Sequence, residues 1–500
     1  MHFRYDARLL RPFATCLLGT LALCIGAAIS AKEASRTAEA RVARVEAGLS
    51  TPVMVKGAVG GKMDLRERMA FHNVPAVSIA LIDQGRVQWT RAYGVTSAEG
   101  KNTTLVTPDT LFQAASVSKA VSAVGALELV QQGRLLLDAP ANDQLTAWKI
   151  PDNDFTRAKP VSLRMLLNHS AGTTVHGYFG YAQGQPLPTL VQVLDGTAPA
   201  NSDPVRVDVL PGSLWRYSGG GYGVVQLLMA EAAGQPFDRY MQQSVLAPLG
   251  MKHSTFAVAL PPSQDTKAAS GHTADGHAVA GRWHRYPESA AAGLWTTPSD
   301  LAQVVLEIQR AADGSAGTLL SHDTAQTMLT RGLGEYGLGL YVEDLGDRTS
   351  FSHSGGTTGF RSQLYGYTHS GQGAVIMTNS DNGAALIGEI LASISAEYGW
   401  LEFKVIEKVA IPGDAARNRQ LAGRYALLGK TAELIAEGER LYLQSDVLGS
   451  GRRELHAQSA TSFFMTEQNM VLKVMPSTGG RANGFELVSG ATTYAATRTE

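Results

Sequence analysis

Apolar residues along this chain change their spacing three times. In "VPAVSIALIDQGRVQWTRAYGV" (74–95) they alternate in two runs on either side of Asp83, Gln84 and Gly85, the pattern of a β-hairpin. From Ala115 to about Gly250, spacings of three and four take over, as in "LRMLLNHSAG" and "YGVVQLLMAEAAG". Each of these closes on glycine and predicts an amphipathic helix. Short strand patterns return in "YGLGLYVED", "SFSHSGGTTGFRSQLYGY" and "GAVIMTNSD", ahead of the helical "AALIGEILASISAEYG". A domain that opens and closes in strands predicts an α+β fold, one antiparallel β-sheet flanked by helices with an inserted all-α subdomain.

After Trp400 the texture changes again. "AIPGDAARNRQ" reads as linker, and from Leu421 onward come short alternating runs such as "GRYAL", "RLYLQS" and "MVLKVM" at turn-sized intervals. They predict a small all-β, barrel-like domain over 421–500, joined by a linker over 403–420 to a main domain over 51–402. Upstream, the polar, alanine-rich stretch 32–50 reads as a tether or short helix. Residues 1–31 read as a signal peptide: Arg4, Arg8 and Arg11 precede an uncharged run that ends in small residues. Cleavage is expected near Ser30 or Ala31, which makes the protein periplasmic or secreted. The alternative is an uncleaved N-terminal anchor.

Composition narrows the classes. A chain of 500 residues with 44% hydrophobic residues, 53 glycines and 17% charged residues is globular and turn-rich. A net charge of -1 gives no reason to expect nucleic acid or an anionic membrane as partner. Both cysteines, Cys16 and Cys24, fall in the export segment, so no disulfide is expected beyond it.

The chemistry concentrates in "QAASVSKAVSAVGALELVQQG" (113–133), where Ser116 and Lys119 lie one turn apart at the mouth of an apolar helix. Val117, Ala120, Val121, Val124 and Leu127 form its buried stripe. A desolvated lysine loses its proton readily and then activates a neighbouring serine. The helix start also supplies backbone NH groups for a developing oxyanion. The competing reading makes Ser116 a helix cap and Lys119 a snorkelling surface residue. Two further constellations bear on the choice. Tyr217 stands in "PGSLWRYSGGGYGVV" before a glycine run and a helix, where a phenol near a lysine is suited to general acid or base work. In "SFSHSGGTTGF" an apparent strand carries His353 and Ser354 into Gly355 and Gly356, an edge that an extended substrate can pair with.

Ser-x-x-Lys, then Tyr-Ser, then His-Ser-Gly is the order of the serine β-lactamase and penicillin-binding-protein superfamily. The chain resembles its class C branch, with D-aminopeptidases, DD-carboxypeptidases and family VIII esterases, also in "VSLRMLLNHSAGT", "LAPLGMKHSTF", "AAGLWTTPSDLAQ" and "YGLGLYV". The tail is similar to lipocalin-like C-terminal β-domains. The resemblance implies Ser116 as acyl-accepting nucleophile, Lys119 as its proton-handling partner and Tyr217 as general base or acid. It further implies an oxyanion hole from the backbone NH groups of Ser116 and Gly356, with His353, Ser354 and Gly355 lining the substrate strand. At Gly219 many class C members carry a substrate-binding asparagine, and at His353 β-lactamases often carry lysine. The first departure speaks against β-lactam and peptide recognition; the second, shared with aminopeptidase-like and esterase-like relatives, points toward an esterase or peptidase rather than a β-lactamase.

The expected function is therefore that of an exported serine hydrolase that needs no metal or organic cofactor and acts on a small ester, peptide or β-lactam-like molecule. Alternatives are a true β-lactamase or DD-peptidase, and a non-catalytic binder of peptidoglycan fragments. His272, His277 and His284 match no compact zinc pattern. His169, in "LNHSAGT", is read as structural. The absence of G-x-S-x-G argues against an α/β-hydrolase.

Overall fold

The computed structural model describes residues 37–57, 62–99, 104–315, 317–445, 447–475, 482–489 and 492–499; the export segment lies outside them. Six strands build the main sheet: β1 (Ala76–Asp83), β2 (Arg86–Gly94), β3 (Tyr341–Asp344), β4 (Thr349–Thr357), β5 (Phe360–Tyr367) and β6 (Gly373–Thr378). They lie in the order β2-β1-β6-β5-β4-β3, and every neighbouring pair is antiparallel. Strands from both ends of the domain thus meet in one sheet. The β1–β2 hairpin turns at Gln84 and Gly85, whose φ values of 54° and 68° suit the tight turn that matches strand twist.

β1 is buried on both faces. Ala76, Ala80 and Ile82 enter the core on one side, while Val77, Ile79 and Leu81 enter the core on the other. The first core holds helix α1 (Ser118–Gln131) and helix α2 (Gly219–Ala233) of the helical block, together with helix α3 (Pro298–Ala312). The second holds helix α4 (Gly383–Tyr398). α1 has no exposed stripe over most of its length: every residue from Ser118 to Leu127 is buried, because the helix runs between the sheet and the helical block. The sequence suggested one apolar face; the fold covers all of them.

The stretch before the main domain is part of it. Residues 37–46 are helical, and Val42, Val45 and Leu49 sit in the core beside α4, so this segment is no free tether. Likewise the 403–420 segment pairs Ile406–Lys408 in parallel with Val53–Val55 and then forms a short helix, Ala415–Leu421.

The C-terminal unit is a closed antiparallel barrel of eight strands in sequence order, from β7 (Gly423–Leu427) to β14 (Thr492–Arg498), which pair with each other to close it. Its core is filled by alternate residues such as Tyr425, Leu427, Leu434, Leu443, Phe463 and Leu487. The barrel docks on the side of α4. There His72, Asn382 and Ala385 share a pocket of about 360 Å³ with Arg452 and Gln468.

Candidate active site

The turn that carries Ser116 is held from three directions. Ala114 N–H donates to Leu294 O (2.9 Å), Ser362 Oγ donates to Ala114 O (2.7 Å), and Gln113 Nε2 donates to His284 O (2.7 Å). Ser116 follows on a 3₁₀ turn, Ala115–Val117, so α1 proper begins only at Ser118. Ala115 takes φ +50°, a left-handed conformation that costs about 1–3 kcal/mol for a residue with a Cβ. Its surroundings impose that conformation: Ala115 is completely buried.

β4 passes so close that only glycine fits at 355. A Cβ there would lie 2.2 Å from Ala114 O and 2.4 Å from Ser362 Oγ. Gly355 therefore faces the Ser116 turn and not the cleft. Burial alternates along this strand, with His353 and Gly355 inward and Ser354 and Gly356 exposed. The last pair between β3 and β4 is Tyr341 with Ser352, which leaves that edge of β4 open from His353 onward.

Lys119 is 2% exposed and does not snorkel. Its Nζ donates to Ser116 Oγ (3.1 Å) and to Ala291 O (2.8 Å). Burial disfavours the ammonium and pulls its pKa down to about 7. Neighbouring residues of α1 reach the same segment: Ser122 Oγ donates to Ala290 O (3.1 Å), and Leu294 N–H donates to Ser118 Oγ (3.0 Å). The short helix Ser289–Ala292 is thus the backstop of the site. At its entrance Glu288 is completely buried, and burial raises its pKa to about 7.

Tyr217 precedes α2, whose first turn is capped by Ser218 Oγ accepting from Gly221 N–H (3.0 Å). Lys119 Nζ lies 5.0 Å from the Tyr217 ring centroid. Burial raises the phenol's pKa well above its usual value, against a smaller opposing effect of hydrogen bonding to Ser116. Burial therefore favours the neutral phenol at Tyr217 over the phenolate. Its ring is flanked by His169 at 4.3 Å and His353 at 6.2 Å between centroids. His353 is buried, and desolvation, reinforced by the nearby Lys119, lowers its pKa to about 3. Near neutral pH its imidazole is therefore uncharged.

Ser116, Tyr217, His353, Ser354 and Gly356 together line one open cleft of about 500 Å³. Lys119 lies beneath it. Gly219 is not on the wall, because its missing side chain would point at Tyr178 (3.1 Å) and His176 O (3.3 Å). The sequence reading missed four wall residues, His176, Trp215, Arg216 and Tyr341. Trp215 and Arg216 adjoin Tyr217 and Tyr341 closes "YGLGLY", but neither position carries a periodic signal. The Arg216 guanidinium is already paired with Asp208 and Gly172 O. None of these lining residues comes from the barrel.

The three histidines of 272–284 go separate ways. His272 bridges Ala98 N and Asn379 O, His277 meets Glu99 on the surface, and His284 contacts Phe179 O. Among the described residues no group of three or more His, Cys, Asp or Glu is placed to hold a metal ion.

Against known proteins, the family model described as Beta-lactamase matches residues 64–392. A β-lactamase of Pseudomonas fluorescens is 30% identical over 47% of this chain and 60% of its own length, so this chain spans less than two thirds of that relative. A penicillin-binding protein of Bacillus subtilis is 23% identical over 71% of this chain and 81% of its own. Among solved structures, the octameric penicillin-binding protein homologue of Pyrococcus abyssi superimposes with a TM-score of 0.59 at 20% identity, over 86% of this chain and 98% of that one. The D-amino acid amidase of Ochrobactrum anthropi does so with 0.53 at 22% identity, over 66% and 96%. These likenesses concern the fold. With its strained serine turn, buried lysine and open strand edge inside the matched segment, the chain belongs to the Beta-lactamase family.

Proposed function

We propose that the protein is an exported serine hydrolase that cleaves an ester or amide through an acyl-enzyme on Ser116. The observation that carries this reading is Lys119: an amine buried on all sides, 3.1 Å from Ser116 Oγ, with a pKa near 7. About half of it is unprotonated at neutral pH, which is the condition for a general base. Ser116 Oγ attacks the carbonyl carbon as its proton passes to Lys119, and the carbonyl oxygen becomes an oxyanion facing the NH groups of Ser116 and Gly356. The carbon to leaving-group bond then breaks. The Tyr217 phenol protonates the leaving group and recovers its proton from the Lys119 ammonium. Water repeats the sequence against the acyl-enzyme and returns Ser116.

The substrate class follows from charge. With His353 neutral and Arg216 paired to Asp208, no free cation stands among the described residues that line the cleft, and Lys119 lies beneath it. Its walls are instead aromatic, with Trp215, Tyr217, Tyr341 and His176 around the serine. This favours uncharged esters or amides over β-lactams, whose carboxylate would have no ionic partner.

Intact-protein mass spectrometry after fluorophosphonate treatment, alongside turnover of a short-chain p-nitrophenyl ester, tests the reading. We expect one adduct per chain and ester release, both lost in Ser116→Ala. A folded wild type that neither labels nor turns over would leave a binder of peptidoglycan fragments as the better account. Cephalosporin hydrolysis faster than ester hydrolysis would overturn the substrate assignment alone.

A further inference from the structure

Apolar surface does not stop at the cleft walls. Three large apolar side chains stand at the mouth, Phe179, Leu214 and Leu333, which are 76%, 40% and 43% exposed. Apolar side chains scattered singly over a surface need no explanation, but several around one opening mark a binding place.

Leu214 and Leu333 flank Trp215, whose indole lines the cleft. Leu214 precedes it in sequence. Leu333 reaches it through space: its neighbour Gly334 lies so close to the ring that a Cβ would stand 2.5 Å from Trp215 Cγ, and φ +67° keeps that position for glycine. The loop is tied at its base, where Gly332 N–H donates to Tyr336 O (2.9 Å). The charges at its ends, Arg331 and Glu335, pair with each other (3.7 Å). Phe179 stands on the opposite rim, three residues after the wall residue His176. Its carbonyl accepts from His284 Nδ1 (2.9 Å) and from Tyr286 Oη (3.4 Å), and that hydroxyl accepts from Thr358 N–H (3.4 Å), two residues past Gly356 of the wall. Asn201 Nδ2 donates to the next carbonyl, Gly180 O (2.9 Å). The phenyl ring is thus presented to solvent from a fixed backbone, which lowers the ordering cost when a ligand covers it.

We propose that the two rims extend the cleft as one apolar track, that Phe179 and Leu333 are specificity-determining residues, and that the substrate is an ester or amide carrying an uncharged hydrocarbon group longer than a short acyl chain. Continuity with the cleft names the occupant, since a group that covers the rims is attached to whatever sits at Ser116. A cleft of about 500 Å³ has room for such a molecule. Each methylene laid along the track leaves water, and that gain separates long substrates from short ones. Cleavage of this molecule rests on the acyl-enzyme reading; its binding along the rims does not.

The test compares two ester pairs on the full chain below their micellar concentrations: p-nitrophenyl octanoate against the butyrate, longer in the acyl group, and octyl acetate against butyl acetate, longer in the alcohol. In at least one pair the longer ester is expected to have a kcat/KM about tenfold higher, the scale of several methylenes covered on one side. Leu333→Ser combined with Phe179→Ser is expected to bring that ratio near one. General damage to the site lowers both esters of a pair and cancels in the ratio. Calorimetric titration of Ser116→Ala with the same four esters reads binding without turnover, and there too the longer member is expected to bind about tenfold more tightly. Equal kcat/KM and equal affinity within both pairs, or a ratio that the double change leaves untouched, would overturn the track. A wild type that turns over none of the esters, while Ser116→Ala binds the longer ones more tightly, would count against the acyl-enzyme reading and leave the track standing.

Discussion

The cleft and the barrel, two parts of one chain, treat polar groups in opposite ways. In the barrel every strand pairs on both sides, the apolar residues alternate inward, and no strand residue among those described carries an orphaned buried polar atom. Around the cleft, Lys119 is buried without a carboxylate partner, Ala115 and His169 hold left-handed backbone at φ +50° and +61°, and buried polar atoms of His169, Trp215, Arg216, Tyr336 and His353 lack partners. A buried amine near neutrality is a poor structural element and a good base, and a fold keeps one only where the surrounding core holds it in place.

The sharpest way to break this contrast is Lys119→Met. Ester turnover is expected to fall about a thousandfold or more, as for loss of an acting general base, while the folded state gains stability near neutral pH. The sign follows from linkage. The folded-state pKa of Lys119 drops from 10.5 to about 7, so the unfolded chain binds more protons between those values, and wild-type stability rises with pH across that window. The methionine variant should lose this rise. Urea unfolding at pH 7 and pH 10 checks it, and equal slopes for both proteins would show that the amine is not desolvated.

Gly355→Ala comes next. The new Cβ meets backbone at Ala114 O and must push β4 away from the serine turn. We expect kcat to fall about a hundredfold, the cost of roughly 1 Å of misplacement, together with a lower melting temperature. Unaltered turnover would mean that the strand and the turn need no such contact.

Glu288→Gln sharpens the comparison on the cleft side. Burial raises this carboxyl from 4.5 to about 7, so here the folded state binds more protons, and stability falls as pH rises from about 4.5 to about 7. The change is on the order of 3 kcal/mol. Glutamine should flatten it, as read from urea midpoints at pH 5 and pH 7.5.

The smallest expected effect on turnover comes from the barrel. Phe463→Ala opens a cavity in its core and is expected to cost about 3–5 kcal/mol of barrel stability. Below the melting temperature ester turnover should stay within twofold of wild type, because no barrel residue lines the cleft. A large drop would show that the barrel acts on the site.

How much of this was legible beforehand depends on the range of the contact. Ser116 and Lys119 stand three residues apart on one helix, and Ser354 and Gly356 two apart on one strand; such spacings translate directly into geometry. Tyr217 was readable from the turn before its helix. By contrast, reading α1 as a helix with one buried stripe understated its burial, since its own residues do not reveal that the sheet and the helical block enclose it. The 32–50 segment was read as a tether because its apolar residues, Val42, Val45 and Leu49, are sparse. They become core only against α4.

By itself, then, the amino-acid order determined the α+β framework, the short alternating runs of the tail and the serine, lysine, tyrosine and strand motifs, because each is a local pattern. The tertiary structure decided what surrounds those residues. The carbonyl that holds Lys119 lies 172 positions away at Ala291, and the hydroxyl that holds Ala114 O lies 248 away at Ser362. The backbone partners of His169 Nδ1 and His353 Nδ1 are Ser218 N–H and Ser354 O. Burial and orientation are properties of what packs around a group, and no spacing along the chain encodes them until distant segments have met.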